Sequence, residues 1–298
     1  MGDSSTPTKH IFDNGATAYE ASTGGCTRDL ARHMLTLSPT ILPGSVIHDN
    51  ACGTAVVAQE IVARNVLSQS PPDPAYTLTI HCTDKSANMI ELARSGYKDC
   101  QSATDMQTAF PRVNVDFALM SSEELGFADA HFSHAFSNCG ILWFDDAAAG
   151  AREMLRTLRP GGTVIASSWK EMRIFDVVRA VQRKCEPEAP PFKPPVDEKW
   201  FTARHLESVL REAGFEDVDV VERTVHFAGR DVRELCGHLM GLLKQLKKEW
   251  ADGQEERFRV QLEAEAETAV ETFERPRMEG GVEKLVGIPM VGLIGVAR

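Results

Sequence analysis

The stretch Ser45 to Val66, SVIHDNACGTAVVAQEIVARNV, constrains this chain most. It opens on a short apolar run, Ser45-Val-Ile-His, and turns through Asp49-Asn-Ala-Cys-Gly-Thr. A nearly all-apolar segment, Ala55 to Val66, follows and reads as a helix. A strand, a tight small-residue turn and a buried helix make the first half of a βαβ unit. Small turn residues let the backbone come close to a ligand. The helix start leaves free N–H groups pointing into the same space. Asp49, an acid at the strand end, suits a ligand carrying hydroxyls or positive charge better than a phosphate. A dinucleotide turn needs G-x-G-x-x-G after the strand. In that frame the chain offers Ala51-x-Gly53-x-x-Val56, one glycine of three.

The totals narrow the partners. With 298 residues, 43% hydrophobic and 25% charged, the chain can bury a full core as two domains or one large α/β domain with additions. A net charge of −11 repels phosphate backbones, so no nucleic-acid partner is expected. No apolar run reaches the length of a signal-peptide core or a membrane span, so no membrane partner is expected. Seven cysteines, an odd number with no C-x-x-C pair, point to reduced thiols in a cytoplasmic protein rather than a disulfide frame or a zinc site.

Taken in order, Ile11 to Leu37 reads as two helices broken at Thr23-Gly-Gly. They are expected either to form a lid or to cover a sheet edge. The first strand starts at Val46. The β-branched run Tyr76-Thr-Leu-Thr-Ile-His-Cys-Thr reads as the second strand and ends in Asp84, where a Rossmann-type site places an acid on the ribose hydroxyls. Gly53 and Asp84 are 31 residues apart, against a usual interval of about 20, and the proline-rich loop after Ser68 explains the excess. Asp84 is expected to carry little of the folding. Val113–Met120 and His131–Ser137 read as strands three and four. Asp145 or Asp146 caps a helix over Ala147–Leu158, and Arg159-Pro-Gly-Gly turns into strand five, Thr163–Trp169. Strand six is Asp217–Phe227. Helices are expected over Val232–Trp250 and Glu255–Phe273, and a last strand over Gly287–Ala297. The domains so read are a helical lid (1–40), a Rossmann-like core (41–229) with a connector of five prolines (186–196), a helical insertion (230–285) and a terminal strand (286–298).

The acid-x-small-x-Gly loop at Asp49, the acid at Asp84, Glu123-x-Leu-x-Phe before strand four and Leu158-Arg-Pro-Gly-Gly before strand five occur in the order of a family. Over Val46–Trp169 the chain resembles class I S-adenosylmethionine (SAM)-dependent methyltransferases. HDNACG, FSNCGILWFDDAAAGAREMLRTLRPGG and ASSW are similar to fungal small-molecule methyltransferases of secondary metabolism, of the gliotoxin bis-thiomethyltransferase type. The resemblance implies an α/β doubly wound sheet of seven strands, the last antiparallel between strands five and six. It implies SAM as donor, S-adenosylhomocysteine as product and a small organic acceptor. Ala51 and Ala55 stand where glycine is usual, and an alanine at positive φ costs roughly 1 kcal/mol. An Asp commonly opens the family's loop after strand three. Ser121 stands there, so the adenine contact falls to Ser121, the Ser122 N–H or Glu123. Cofactor contacts are expected from Asp49, Asn50, Ala51, Cys52, Gly53, Asp84, Lys85, Met89, Ser121, Ser122, Glu123 and Asn138, with Tyr19 closing from the lid.

Transfer from a sulfonium needs alignment and exclusion of water more than it needs catalytic groups. A thiol or amine acceptor needs no general base, whereas an alcohol usually does. No metal constellation is visible. Asn138 and Trp169-Lys-Glu stand where a metal-dependent site would carry acids. His134 reads as core. His226 and His238 read as structural or as reaching the acceptor. Trp143, Phe144, Trp169, Met172, Phe175 and Met240 are expected to line an apolar acceptor pocket. Two alternatives remain open, a SAM-binding enzyme of non-methylating chemistry and a regulatory protein of the same fold.

Overall fold

A computed structural model describes residues 22–69, 73–103, 111–246, 253–277 and 281–298. Tyr19 and the first of the two expected N-terminal helices lie outside them. The elements in order are α1 (Cys26–Leu37), β1 (Ser45–Asn50), α2 (Val56–Val62, continued by a π turn to Leu67), β2 (Leu78–Asp84), α3 (Ala87–Ala103) and β3 (Val113–Leu119). Then follow β4 (Phe132–Ser137), α4 (Ala147–Thr157), β5 (Leu158–Glu171), α5 (Ile174–Cys185), α6 (Ala203–Glu212) and β6 (Val218–Gly229). The last are α7 (Val232–Leu246), α8 (Gln254–Glu267), β7 (Glu271–Pro276) and β8 (Val282–Ala297).

The strands run in the order β3-β2-β1-β4-β5-β8-β6. β1 pairs parallel with β2 and β4, while β8 lies antiparallel between β5 and β6. The order reverses beside β1, so β1 and β4 end at the switch point where open α/β sheets bind ligands. β7 is an eighth strand, antiparallel to the N-terminal half of β8. The expected helix over Glu255–Phe273 stops instead at Glu267, and 271–276 pairs with β8. Leu158-Arg-Pro-Gly-Gly is also paired: Leu158 faces Phe132 and, after a register shift, Thr163 faces His134.

The helix starts follow their caps. The Asp146 carboxylate accepts the Ala149 N–H at 2.9 Å, and the Ser86 hydroxyl accepts that of Met89 at 3.3 Å. α1 begins after Gly24 and Gly25, at φ 54° and 75°. A Cβ on Gly24 would stand 2.6 Å from the backbone nitrogen of Ala228, which donates to the Gly24 carbonyl, so only glycine lets α1 dock on β6.

Apolar burial of Leu30, Ala31, Met34 and Leu35 holds α1 against the sheet. Ion pairs fix its rotation. α2 is buried on every side, including Gln59 and Glu60. Arg28 donates to Glu60 at 3.1 Å and to Gln59 at 2.8 Å, and Arg32 donates to Glu60 at 2.9 Å. From β7, Arg275 donates to Asp29 at 2.8 and 3.0 Å. These charges lie in partly dry surroundings, so removing one partner leaves the others uncompensated. We predict that Glu60→Ala lowers unfolding stability by about 3 kcal/mol. Denaturant titration checks this, and a loss well below 1 kcal/mol would show that apolar burial alone seats α1.

Candidate functional site

The turn after β1 carries three left-handed residues, Ala51 (φ 54°), Gly53 (φ 54°) and Ala55 (φ 61°). The two alanines thus adopt the conformation for which glycine is usual, at about 1 kcal/mol each. Hydrogen bonds hold the turn there. The Cys52 N–H donates to the Thr83 carbonyl at 2.9 Å. The Asp84 carboxylate accepts from Gly53 N–H and Ser86 N–H, each at 2.9 Å. Asp84 therefore ties the β1 turn to the start of α3. The expectation that it carries little of the folding is corrected: it is a structural bridge whose oxygens keep further lone pairs for a ligand.

A cleft of about 800 Å³ opens over this turn. It brings together Ala51, Cys52, Gly53, Asp84, Lys85, Met89, Ser122, Glu123 and Asn138 of the residues expected at the cofactor. Trp143 and Phe144 line it as well. Asp49 and Asn50 sit beneath it, each 1% exposed. Ser121 is exposed outside it and bonds Glu123. Ser122 donates to the Asn50 side-chain oxygen at 2.9 Å. Asp49 Oδ1 and Asn50 Nδ2 are buried without a hydrogen-bond partner, a polar floor able to answer a polar ligand. The residues present fit a nucleoside with a charged tail: an acid with spare lone pairs, flat apolar walls and a close backbone turn.

A second cavity of about 750 Å³ adjoins the first. Thr27, Cys139 and Trp143 line both. Trp169, Met172 and Phe175 line the second as expected, but Phe144 faces the first, and Met240 lies in the core and lines neither. Leu142, Ile174, Phe227, Leu242 and Met290 line it without having been singled out. Each comes from a different element, so no local spacing marks them. His226 bonds Glu271 at 2.7 Å and stacks on Phe273, and His238 bonds the Ala228 carbonyl at 3.0 Å. Neither reaches a cavity, and His134 is buried in β4.

The junction is built by Asn138. Its amide donates to the Thr27 carbonyl at 2.8 Å, while its oxygen accepts from Ser167 at 3.0 Å. Ser167 also accepts the Cys139 N–H at 2.9 Å and supports Cys139 at φ 52°. Sequence reasoning missed Thr27, Cys139 and Ser167. Gly140, two residues past Asn138, was the available signal: a Cβ there would stand 2.7 Å from the Ala51 Cβ.

Burial raises the Asp49 carboxyl to about 8, against the Ala58 N–H that it accepts at 3.2 Å; the nearby Asp84 charge adds to the rise. Burial likewise pushes up the thiols of Cys26 and Cys139, the latter to about 12. Cys52 is raised by its hydrogen bond with Cys82 and by burial. The folded Asp49 value lies above the roughly 3.9 of an unfolded Asp, so its contribution to stability is full below about pH 4. That contribution is lost as pH rises through about 8. We predict that the stability of wild type relative to Asp49→Asn falls over this window, at up to about 1.4 kcal/mol per pH unit. Denaturant midpoints at pH 5, 6.5 and 8 measure it, and parallel pH profiles would show that Asp49 is ionised throughout.

Comparisons with known proteins agree with the geometry. A family model described as a methyltransferase domain matches residues 49–166. The methyltransferase tpcH of Aspergillus fumigatus is 22% identical over 83% of this chain and 83% of its own length. The acetylaranotin bis-thiomethyltransferase of Aspergillus terreus is 25% identical over 70% of this chain and 68% of its own. Among solved structures, phosphoethanolamine N-methyltransferase 2 of Haemonchus contortus shares the fold with a TM-score of 0.54 and 15% identity, over 99% of this chain and 61% of that one. With the strand order, the β1 turn and the acid after β2 in place, the chain carries over residues 49–166 a methyltransferase domain of the class I type, with S-adenosylmethionine as its cofactor.

Proposed function

We propose that this enzyme methylates an apolar, multi-ring small molecule of fungal secondary metabolism, on a thiol or another nucleophile that ionises without help. The observation that carries this reading is the second cavity. Among the described residues that line it, none has a carboxylate, imidazole, ammonium or guanidinium group. The polar side-chain groups of these residues are hydroxyls, thiols, the indole N–H groups of Trp143 and Trp169 and the Gln245 amide. A neutral wall of this kind favours an apolar acceptor and supplies no general base. The raised thiols of Cys26, Cys52 and Cys139 support the reading from the other side. As neutral thiols they are poor nucleophiles, so the donor meets no protein thiolate to compete with the acceptor. The two Aspergillus relatives support the metabolic setting, and the name of one, a bis-thiomethyltransferase, supports sulfur as acceptor.

In this reading Asp84 holds the ribose hydroxyls, Met89, Trp143 and Phe144 enclose the adenine, and Ser122 and Glu123 meet its edge. Asp49, Asn50 and the 51–53 turn receive the methionine end, with Lys85 and Asn138 bordering the site. Lys85 is held by the Trp143 carbonyl at 3.0 Å and by Asp145 at 3.3 Å, so it braces the wall from outside. The cofactor supplies an activated methyl. The chain's own residues orient it toward the Thr27–Cys139–Trp143 junction and keep water out. Cys26, Cys52, Cys82, Cys139, Cys185 and Cys236 are free thiols, which supports a reducing, cytoplasmic setting. Among the described residues no helix is long and apolar enough to cross a membrane.

Two predictions test this. Asp84→Ala removes two charge-assisted hydrogen bonds worth roughly 1.5–3 kcal/mol each. After allowing for relief of burial, S-adenosylhomocysteine should bind about 30- to 150-fold more weakly, and Asp84→Asn should lose less. Because Asp84 also bridges two loops, the thermal midpoint of the alanine variant should fall too. Unchanged affinity by calorimetry would remove Asp84 from the ribose. For the acceptor, labelled SAM should transfer its methyl to 2-naphthalenethiol and not to 2-naphthalenemethanol. Across substituted arylthiols, the pH at which the rate rises should track each thiol's own ionisation. A rate that rises at one fixed pH for every thiol would reveal a protein base and overturn the base-free reading.

A further inference from the structure

Beyond the second cavity lies a third, open to solvent and about 1020 Å³ in volume. Met172, Phe175 and Pro194 line both, so these side chains form the waist between an inner and an outer chamber. The proline-rich segment that supplies Pro194 is fixed. The Gln182 side chain donates to the Pro190 carbonyl at 2.8 Å and accepts the Phe192 N–H at 2.7 Å. The Phe192 ring packs on Phe175 with centroids 5.3 Å apart. A segment held at both a carbonyl and an N–H, with prolines restricting φ, makes a firm wall.

The chambers differ in chemistry. The inner one has no charged side chain among the described residues lining it; the outer one has several. Most of these are neutralised. Lys170 pairs with Glu222 at 2.8 Å and also feels Glu171 beside it. Arg179 pairs with Asp176 at 2.6 Å, and Lys193 faces Glu198 at 3.9 Å. Arg173 has no acidic partner among the described residues. It is exposed, lies next to Met172 at the waist and opens α5. A planar guanidinium with its donors unspent is suited to an anionic oxygen.

We propose that the outer chamber is a second acceptor subsite, in which Arg173 binds an anionic oxygen substituent of an elongated aromatic acceptor whose methylated end lies in the inner chamber. This rests on reading the inner cavity as the acceptor site. It assigns specificity to charge at the far end of the substrate, well away from the transferred methyl.

Two probes that differ by one group test it. 1-Anilinonaphthalene-8-sulfonate carries an anion, and N-phenyl-1-naphthylamine has the same rings without it. Each is titrated into the full chain saturated with S-adenosylhomocysteine, and binding is read by energy transfer from tryptophan. Trp143→Phe with Trp169→Phe should abolish most of the transfer, placing the rings in the inner chamber. Arg173→Gln should weaken the sulfonate probe about tenfold and leave the neutral probe unchanged. Equal effects on both probes, or none on the sulfonate, would overturn the subsite while leaving the inner cavity as acceptor site. Absence of transfer from either probe to the wild type would overturn the inner cavity reading and the subsite with it. Arg173 is exposed, so an unchanged thermal midpoint shows that the variant is folded.

Discussion

One carboxylate sets the shape of the donor site. Asp84 accepts the N–H groups of Gly53 and Ser86, and so joins the turn after β1 to the helix after β2. Parallel strands share no hairpin, so the loops leaving their C-terminal ends are joined to each other only by contacts of this kind. That link also holds the left-handed backbone of Ala51, Gly53 and Ala55, which would otherwise relax. The cavity is therefore formed in advance of its ligand, and little ordering is left for binding to supply.

Polarity is divided sharply between the two cavities that meet at Thr27, Cys139 and Trp143. The donor side has Asp84, Lys85 and Glu123 in its wall and a buried acid in its floor, whereas the acceptor side is neutral. A sulfonium is already an activated donor, so the protein's task is placement in a dry space. Burial keeps the surrounding thiols protonated and raises the Asp49 carboxyl to about 8. A cationic ligand arriving above it would draw its proton away.

Much of this was legible because the signals are local. The β1 turn, the acid at Asp84 and the caps at Ser86 and Asp146 each show in a few adjacent residues, whereas the antiparallel direction of the last strand is implied by the family resemblance. Three things were hidden. β7 reads Glu-Thr-Phe-Glu-Arg-Pro, with one large apolar side chain, and in sequence it continues the pattern of the charged helix before it. Its pairing depends on β8, a non-local partner. Met240, expected in the acceptor pocket, is buried in the core on α7, because an apolar residue type tells that a side chain is buried and not against what. Trp143 and Phe144 are adjacent and share the first cavity, yet only Trp143 also reaches the second, because the chain turns between a 3₁₀ segment and α4. Ser121 stands at the family's adenine position, but Ser122 is the one turned inward, bonded to Asn50.

The position of β8 bears on how the molecule is made. This strand is the last of the described elements to leave the ribosome, yet it fills the slot between β5 and β6. It also forms part of the seat of α1: a Cβ on Gly292 would stand 2.6 Å from a Leu30 methyl. Until β8 arrives, β5 and β6 each present a bare hydrogen-bonding edge, and α1 has only part of its seat. Closing the sheet pairs Val164 of β5 with Ala297 of β8, and seating α1 joins Leu30 to Gly292, a non-local contact pattern that slows folding. The nascent chain thus passes through a stage in which the donor turn can already form, while two sticky strand edges await their partner. That interval is where chaperone holding, or misassembly with a second nascent copy, has its opening.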